Sequence, residues 1–330
     1  MNRLLPGSPG GRDPAAAGTG AAIEASNLGR AYGSTWALRD CTLDIPAGCI
    51  AGLVGPNGAG KTTLLNLATG MLRPTAGRIR VLGGAPGQGA GQLRKVGFVA
   101  QETPVYAGRS VADHLRMGRH MNARWDPELA ADRIRELKMD PRHKAGSLSG
   151  GQRAQLALTM ALARRPELLI LDEPVAGLDP LARREFLERL ADATAGTRMS
   201  VVMSSHLVSD LERICDYLVV LVGARIQVAG PVAELLAGHH KFSGPDAEVR
   251  ALAGEAEIIS TARGLGQTTV LVRAAAVARH PAWAVPAPDL EDLVLAYLSR
   301  AGGSAACHQS AAGNAACHQS AAGNGAEAAR

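Results

Sequence analysis

Aromatic side chains are scarce in this sequence: three Trp, four Tyr and three Phe make up 3% of 330 residues. Its core must therefore be assembled mainly from Ala, Val, Leu and Ile, which suits helices packed closely on a sheet. Cysteine is equally sparse. Cys41, Cys49, Cys215, Cys307 and Cys317 form no C-x-x-C pair and no zinc-type spacing. That excludes a disulfide framework and a standard structural metal site, and points to a reducing cytoplasm. Long apolar runs are missing too. The longest, such as Tyr217 to Val222, fall far short of the roughly 20 residues that a membrane-spanning helix needs. No span is expected. Charge of one sign barely prevails: 35 Lys+Arg against 30 Asp+Glu leave a formal +5, too mild at this length to demand nucleic acid. A weakly anionic membrane surface would serve as well. Met1 to Ala22 carries Arg3 and then Pro, Gly and Ala in place of the apolar stretch of a signal peptide, and reads as a flexible leader.

What is present is a 46% hydrophobic chain, enough for a sizeable core. From about Ile23 to about Gly230, short apolar segments alternate with Gly-rich turns and amphipathic stretches, the pattern of an α/β domain. Cys49 to Val54, Leu168 to Leu171 and Met199 to Ser204 suit central parallel strands covered on both faces. Val111, Leu115, Leu129, Ile134 and Leu137 recur at helical spacing without a strand run, predicting an inserted helical subdomain over about 103–160. Residues 231–300 read as a small α/β appendage. Its strands are expected at Glu257 to Ser260 and Thr268 to Val272, and its closing helix at Asp289 to Ser299. The tail, 301–330, is low-complexity: Ala305 to Asn314 (AACHQSAAGN) recurs unchanged as Ala315 to Asn324. Such composition reads as a disordered end. Its duplicated Cys-His pairs carry soft-metal donors without a packed scaffold to hold them.

Gly55-Pro56-Asn57-Gly58-Ala59-Gly60-Lys61-Thr62 fits the phosphate-loop pattern G-x-x-x-x-G-K-[ST], after an apolar strand and before a helix. Its glycines let successive backbone N–H groups point inward, where the helix directs its positive end. A polyphosphate fits that cradle. Lys61 is expected on the β- and γ-phosphates, and the Thr62 hydroxyl on Mg2+, with Thr63 beside it among the nucleotide-binding residues. A second sign is Leu168 to Leu171 followed by Asp172 and Glu173, two acids at the carboxyl end of a strand, where ligands bind in open α/β sheets. Asp172 suits the Mg2+ shell and Glu173 the polarising of an attacking water.

Leu148-Ser149-Gly150-Gly151-Gln152, upstream of that acidic pair, resembles the signature of the ATP-binding subunits of ABC transporters. Ser149 and Gln152 also form a capping box that opens a helix running to about Ala163. The resemblance covers Ile23 to about Gly230. It implies a P-loop ABC ATPase fold with a RecA-like parallel sheet core, an N-terminal antiparallel β subdomain, a helical signature subdomain and a small C-terminal α/β appendage. It further implies that Ser149 to Gln152 contact the γ-phosphate of ATP bound by a second copy, and that Tyr32 stacks on adenine. Gln101 would link Mg2+ and water to a transmembrane partner. Asp179, in Ala176 to Pro180, would sit in the loop between paired ATPase domains, and doubles as a helix cap before Pro180. His206 would be the switch histidine that holds Glu173 and water in register. ATP and Mg2+ are the implied cofactors. The implied partners are a transmembrane permease and a second ATPase subunit, identical or paralogous, with no nucleic acid expected. The implied location is the inner face of the cell membrane, reached from the cytoplasm through the permease.

Asp289 to Leu295 resembles the C-terminal segment of subunits serving drug, antibiotic or polysaccharide exporters, so export is favoured. A soluble ABC ATPase acting on ribosomes or DNA is the alternative; a single cassette without sustained heptads disfavours it. A P-loop kinase or GTPase is disfavoured by Leu148 to Gln152 and His206, and a scaffold without turnover by Glu173.

Overall fold

Continuous apolar runs dictate the centre of the molecule. Strand β3 (Ile50–Val54) is buried at every position, as are β6 (Leu168–Leu171), β7 (Ser200–Ser205) and β8 (Tyr217–Val222). A strand without polar alternation needs cover on both faces, and these have it. With β5 (Val96–Val99) and β9 (Arg225–Pro231) they form a six-stranded sheet in the order β5-β6-β7-β3-β8-β9. Every neighbouring pair is parallel except β8–β9. The carboxyl ends of β5, β6, β7 and β3 therefore share one edge, where the segments carrying Gln101, Glu173, His206 and the phosphate loop all emerge. This computed structural model describes residues 20–102, 105–245, 257–264, 267–274 and 287–300. Residues 1–19 of the expected leader and the duplicated tail lie outside the described residues, while Ala21 and Ala22, expected in that leader, are already the first residues of a strand because Ala21 pairs with Pro46.

A second, antiparallel sheet, in the order β2-β1-β4, is formed by β1 (Ala21–Tyr32), β2 (Thr35–Pro46) and β4 (Ala76–Val81). It shares one apolar core with the parallel sheet and with α1 (Lys61–Thr69), through Leu28, Leu38, Leu65, Leu168 and Val219. After α2 (Gly89–Lys95) and β5, the chain builds a helical insert from α3 (Val111–Met121), α4 (Pro127–Glu136) and α5 (Gly150–Leu162). The insert has a core of its own, centred on Val111, Ile134, Leu148 and Leu156. Local capping sets these helix starts. Ser110 and Asp113 close a capping box on α3, and Asp126 accepts from the Leu129 N–H at 2.8 Å to cap α4. α6 (Pro180–Thr194) follows β6, and the short α7 (Val208–Leu211) follows β7.

The chain divides into two compact units, Met1–Leu235 and Leu236–Arg330, the division falling within α8 (Val232–Ala237). In the second unit β10 (His239–Gly244), β11 (Glu257–Gly264) and β12 (Gln267–Arg273) pair antiparallel in the order β10-β12-β11. Helix α9 (290–300) buries Leu290, Leu293, Val294 and Tyr297. The His239 Nε2 and the Tyr297 hydroxyl lie 2.9 Å apart, and Lys241 Nζ pairs with Asp292 at 2.7 Å. Strand β10 was not expected from the sequence: His-His-Lys-Phe-Ser-Gly has one large apolar residue, and its strand character comes from pairing with β12.

Candidate nucleotide site

The phosphate loop is shaped by two close backbone approaches. At Gly55 a Cβ would collide with the Leu221 carbonyl of the neighbouring β8 segment. Gly60, at φ +108°, caps α1 in a backbone conformation that L side chains rarely adopt, beside the Ala37 carbonyl. The loop lines a cleft of ≈ 380 Å³ with Pro56 to Thr63 on one side and Gln101, Glu173 and His206 on the other. Four segments distant in sequence thus converge because their strands are parallel neighbours.

Glu173 is the hub. Its side chain is 11% exposed and lies between Lys61 Nζ, 3.3 Å from Oε1, and His206 Nδ1, 3.3 Å from Oε2. Gln101 Nε2 donates to Oε2 at 3.5 Å. The buried Lys61 ammonium also donates to the carbonyls of Gly55 at 2.8 Å and Pro56 at 3.3 Å, so its charge is compensated inside the loop. The Glu173 backbone has φ +45°. Ser204, fully buried on β7, holds it there: its Oγ accepts from the Glu173 N–H at 2.8 Å and donates to Asp172 Oδ1 at 2.7 Å. One hydroxyl thus orients both acids. Ser204 escaped the sequence reading, and the only signal for it was a serine closing an apolar run just before His206.

Chemically, the arrangement offers a cation held against the carbonyls of the glycine loop, a carboxylate beside it, and an imidazole and an amide aimed at that carboxylate. This set suits binding a polyphosphate and orienting a water against it. Asp172 is 2% exposed, and Thr62 faces solvent at the start of α1. No group of three His, Cys, Asp or Glu among the described residues could hold a metal alone. Of the three residues expected at a cation, Thr62 and Gln101 line the cleft, while Asp172, whose Oδ1 accepts from Ser204, lies behind its lining.

Other expected residues lie apart from the cleft lining. Ser149 caps α5 in a reciprocal box, accepting from the Gln152 N–H at 3.2 Å while Gln152 Oε1 accepts from the Ser149 N–H at 3.0 Å. Ser149, Gly150 and Gln152 are exposed. Asp179 accepts from the N–H groups of Leu181 and Ala182 at the start of α6. Tyr32 is 50% exposed at the end of β1, with the Arg30 guanidinium 4.8 Å from its ring centroid.

Residues 38–176 match the family described as ABC transporter. Over 206 residues the chain is 35% identical to the molybdenum import ATP-binding protein ModC of Rhodobacter capsulatus, a match spanning 60% of this chain and 56% of ModC. Over 224 residues it is 35% identical to the Nod factor export ATP-binding protein I of Cupriavidus pinatubonensis, spanning 66% of this chain and 68% of that one. A solved ATP-binding subunit of an ABC transporter shares the fold with a TM-score of 0.59 at 26% identity, covering 64% of this chain and 91% of the other. With the phosphate loop, the acidic strand end and the capped signature helix in one α/β domain, the chain belongs to the ATP-binding subunits of ABC transporters, a family of ATPases.

Proposed function

We propose that this chain binds ATP·Mg2+ and hydrolyses it to drive transmembrane transport through a separate permease, in the direction of export. The observation that carries the proposal is the convergence of Lys61, Gln101 and His206 on the one carboxylate of Glu173. Phosphate entering the loop would take over the Lys61 ammonium, leaving Glu173 free to accept a proton from an attacking water. His206 and Gln101 then keep that carboxylate in line. Thr62 and Asp172 face the cation, Asp172 through water. Tyr32 supplies a ring for adenine, while Ser149 to Gln152 and Asp179 serve the nucleotide of a second subunit. Residues 23–230 act as the motor and 231–300 as an accessory domain.

The two relatives are named for import and for export, so family alone leaves the direction open. Export rests on the likeness of Asp289 to Leu295 to exporter subunits. No helix among the described residues is long and apolar enough to cross a membrane, which agrees with a channel supplied by another polypeptide at the inner face of the membrane.

Glu173→Gln tests the chemistry. The variant should bind ATP and accumulate as an ATP-bound dimer on size exclusion while turnover falls by roughly 10²-fold or more. Hydrolysis at the native rate would sink the role of Glu173. Pull-down from mildly solubilised membranes should recover a multi-span protein. Recovery with ribosomes alone would overturn the transport assignment.

A further inference from the structure

Behind His206 lies a cluster of buried polar side chains that the chemistry above leaves unused. Asp210, on α7, is 4% exposed. Its Oδ2 lies 3.2 Å from Ser205 Oγ, and its Oδ1 lies 3.8 Å from Nη1 of Arg183 on α6. Ser205 Oγ accepts from the Leu207 N–H at 3.0 Å, and shares its single hydrogen between Asp210 and the Leu207 carbonyl at 3.1 Å. Both backbone groups of Leu207, the residue after His206, are therefore tied to the serine before it, and that serine to a buried acid. The His206 side chain is 45% exposed, and its anchor is the 3.3 Å contact with Glu173.

Arg183 is placed to move this anchor. It sits in the first turns of α6, next to Ala182, and a Cβ built on Gly151 would stand 2.9 Å from the Ala182 Cβ. The start of the signature helix α5 therefore abuts the start of α6 without room for a side chain. The Arg183 Nε is buried and has no hydrogen-bond partner among the described residues, so its guanidinium depends on Asp210 for compensation. Asp210 is the buried member of the pair and the Arg183 side chain is 25% exposed. Displacing Arg183 therefore strands the Asp210 carboxylate in a poorly solvated place.

We infer that Arg183, Asp210 and Ser205 form a positioning relay that holds His206 on Glu173 and ties it, through the first turns of α6, to the signature loop of the same chain. The inference rests on the proposed function, because Ser149 to Gln152 serve the nucleotide of a second subunit in that reading. The relay would then let nucleotide at one half of the dimer set the geometry of hydrolysis at the other.

Steady-state hydrolysis of ATP·Mg2+ by the full chain tests it. Asp210→Asn should lower kcat roughly 10- to 100-fold, the scale expected of a misplaced catalytic group, with KM for ATP changed by less than about twofold. Asp210→Glu, which restores the charge, should recover most of the loss. The double variant His206→Ala/Asp210→Asn should be no slower than His206→Ala, because the relay acts through His206. Ser205→Ala removes hydrogen bonds and no charge, and carries the same test where Asp210→Asn does not fold. Losses that multiply in the double variant, or a raised KM at native kcat, overturn the relay. A wild-type chain without turnover would sink the proposed function and the relay with it. Wild-type turnover that is lost in His206→Ala yet untouched in Asp210→Asn and Ser205→Ala leaves the function standing and removes only the relay.

Discussion

At the scale of single residues, the candidate site depends on side chains that lie outside the cleft lining. Ser204 shows this most directly, since its hydroxyl is both the donor to buried Asp172 and the acceptor for the Glu173 backbone. Ser204→Ala should lower kcat by roughly 10- to 100-fold through misplaced acids. It should also cost about 1–3 kcal/mol in urea unfolding, because a buried carboxylate loses its donor. Ser204→Thr, which keeps the hydroxyl, should retain more of both. The residues of the glycine loop were legible in the sequence because they form one contiguous motif, Gly55 to Thr62. Ser204 was not, since its partners lie 32 and 31 positions upstream. Asp210 and Arg183 were hidden for a related reason: only folding brings α6 and α7 side by side.

At the scale of elements, helix starts were the most readable feature. The expected boxes and caps at Ser149 and Asp179 recur in the structure because capping is settled within four residues. The same local rule yields a prediction for α4. The carboxyl of Asp126 is held below the usual carboxylate range first by the Leu129 N–H and next by the Arg165 guanidinium. A depressed folded-state value means that its contribution is complete above the unfolded value of 3.8 and is lost as pH falls through the lower, folded one. Asp126→Ala should therefore cost about 1 kcal/mol at pH 7. In denaturant midpoints followed downward from pH 7, that gap should persist to about pH 4 and then close. A gap that closed nearer pH 6 would refute the assignment. Strands were legible where both faces are buried, as in β6, and illegible where pairing decides. β10 is the example: its Phe242 opposite Val270 matters more than its own composition.

At the scale of the whole molecule, the strand order has a consequence for how the chain is made. The phosphate loop follows β3, whose two neighbours, β7 and β8, are residues 200–205 and 217–222. A ribosome that has delivered the first 195 residues has already released the glycine loop, the signature helix and both acids, but neither strand that flanks β3. The β2-β1-β4 sheet can pair at that stage, since its members lie within residues 21–81. The nucleotide cradle cannot, because Gly55 is wedged against Leu221 and Glu173 hangs on Ser204. A chain ended after residue 195 should thus bind no fluorescent ATP analogue, although it holds every nucleotide motif except His206. On the full chain, recovery of analogue binding after dilution from urea should lag behind recovery of secondary structure, as expected when long-range parallel pairing comes last. ATP is thereby a ligand only of a chain that has reached β8, so nucleotide can guard the assembled cradle but cannot template it.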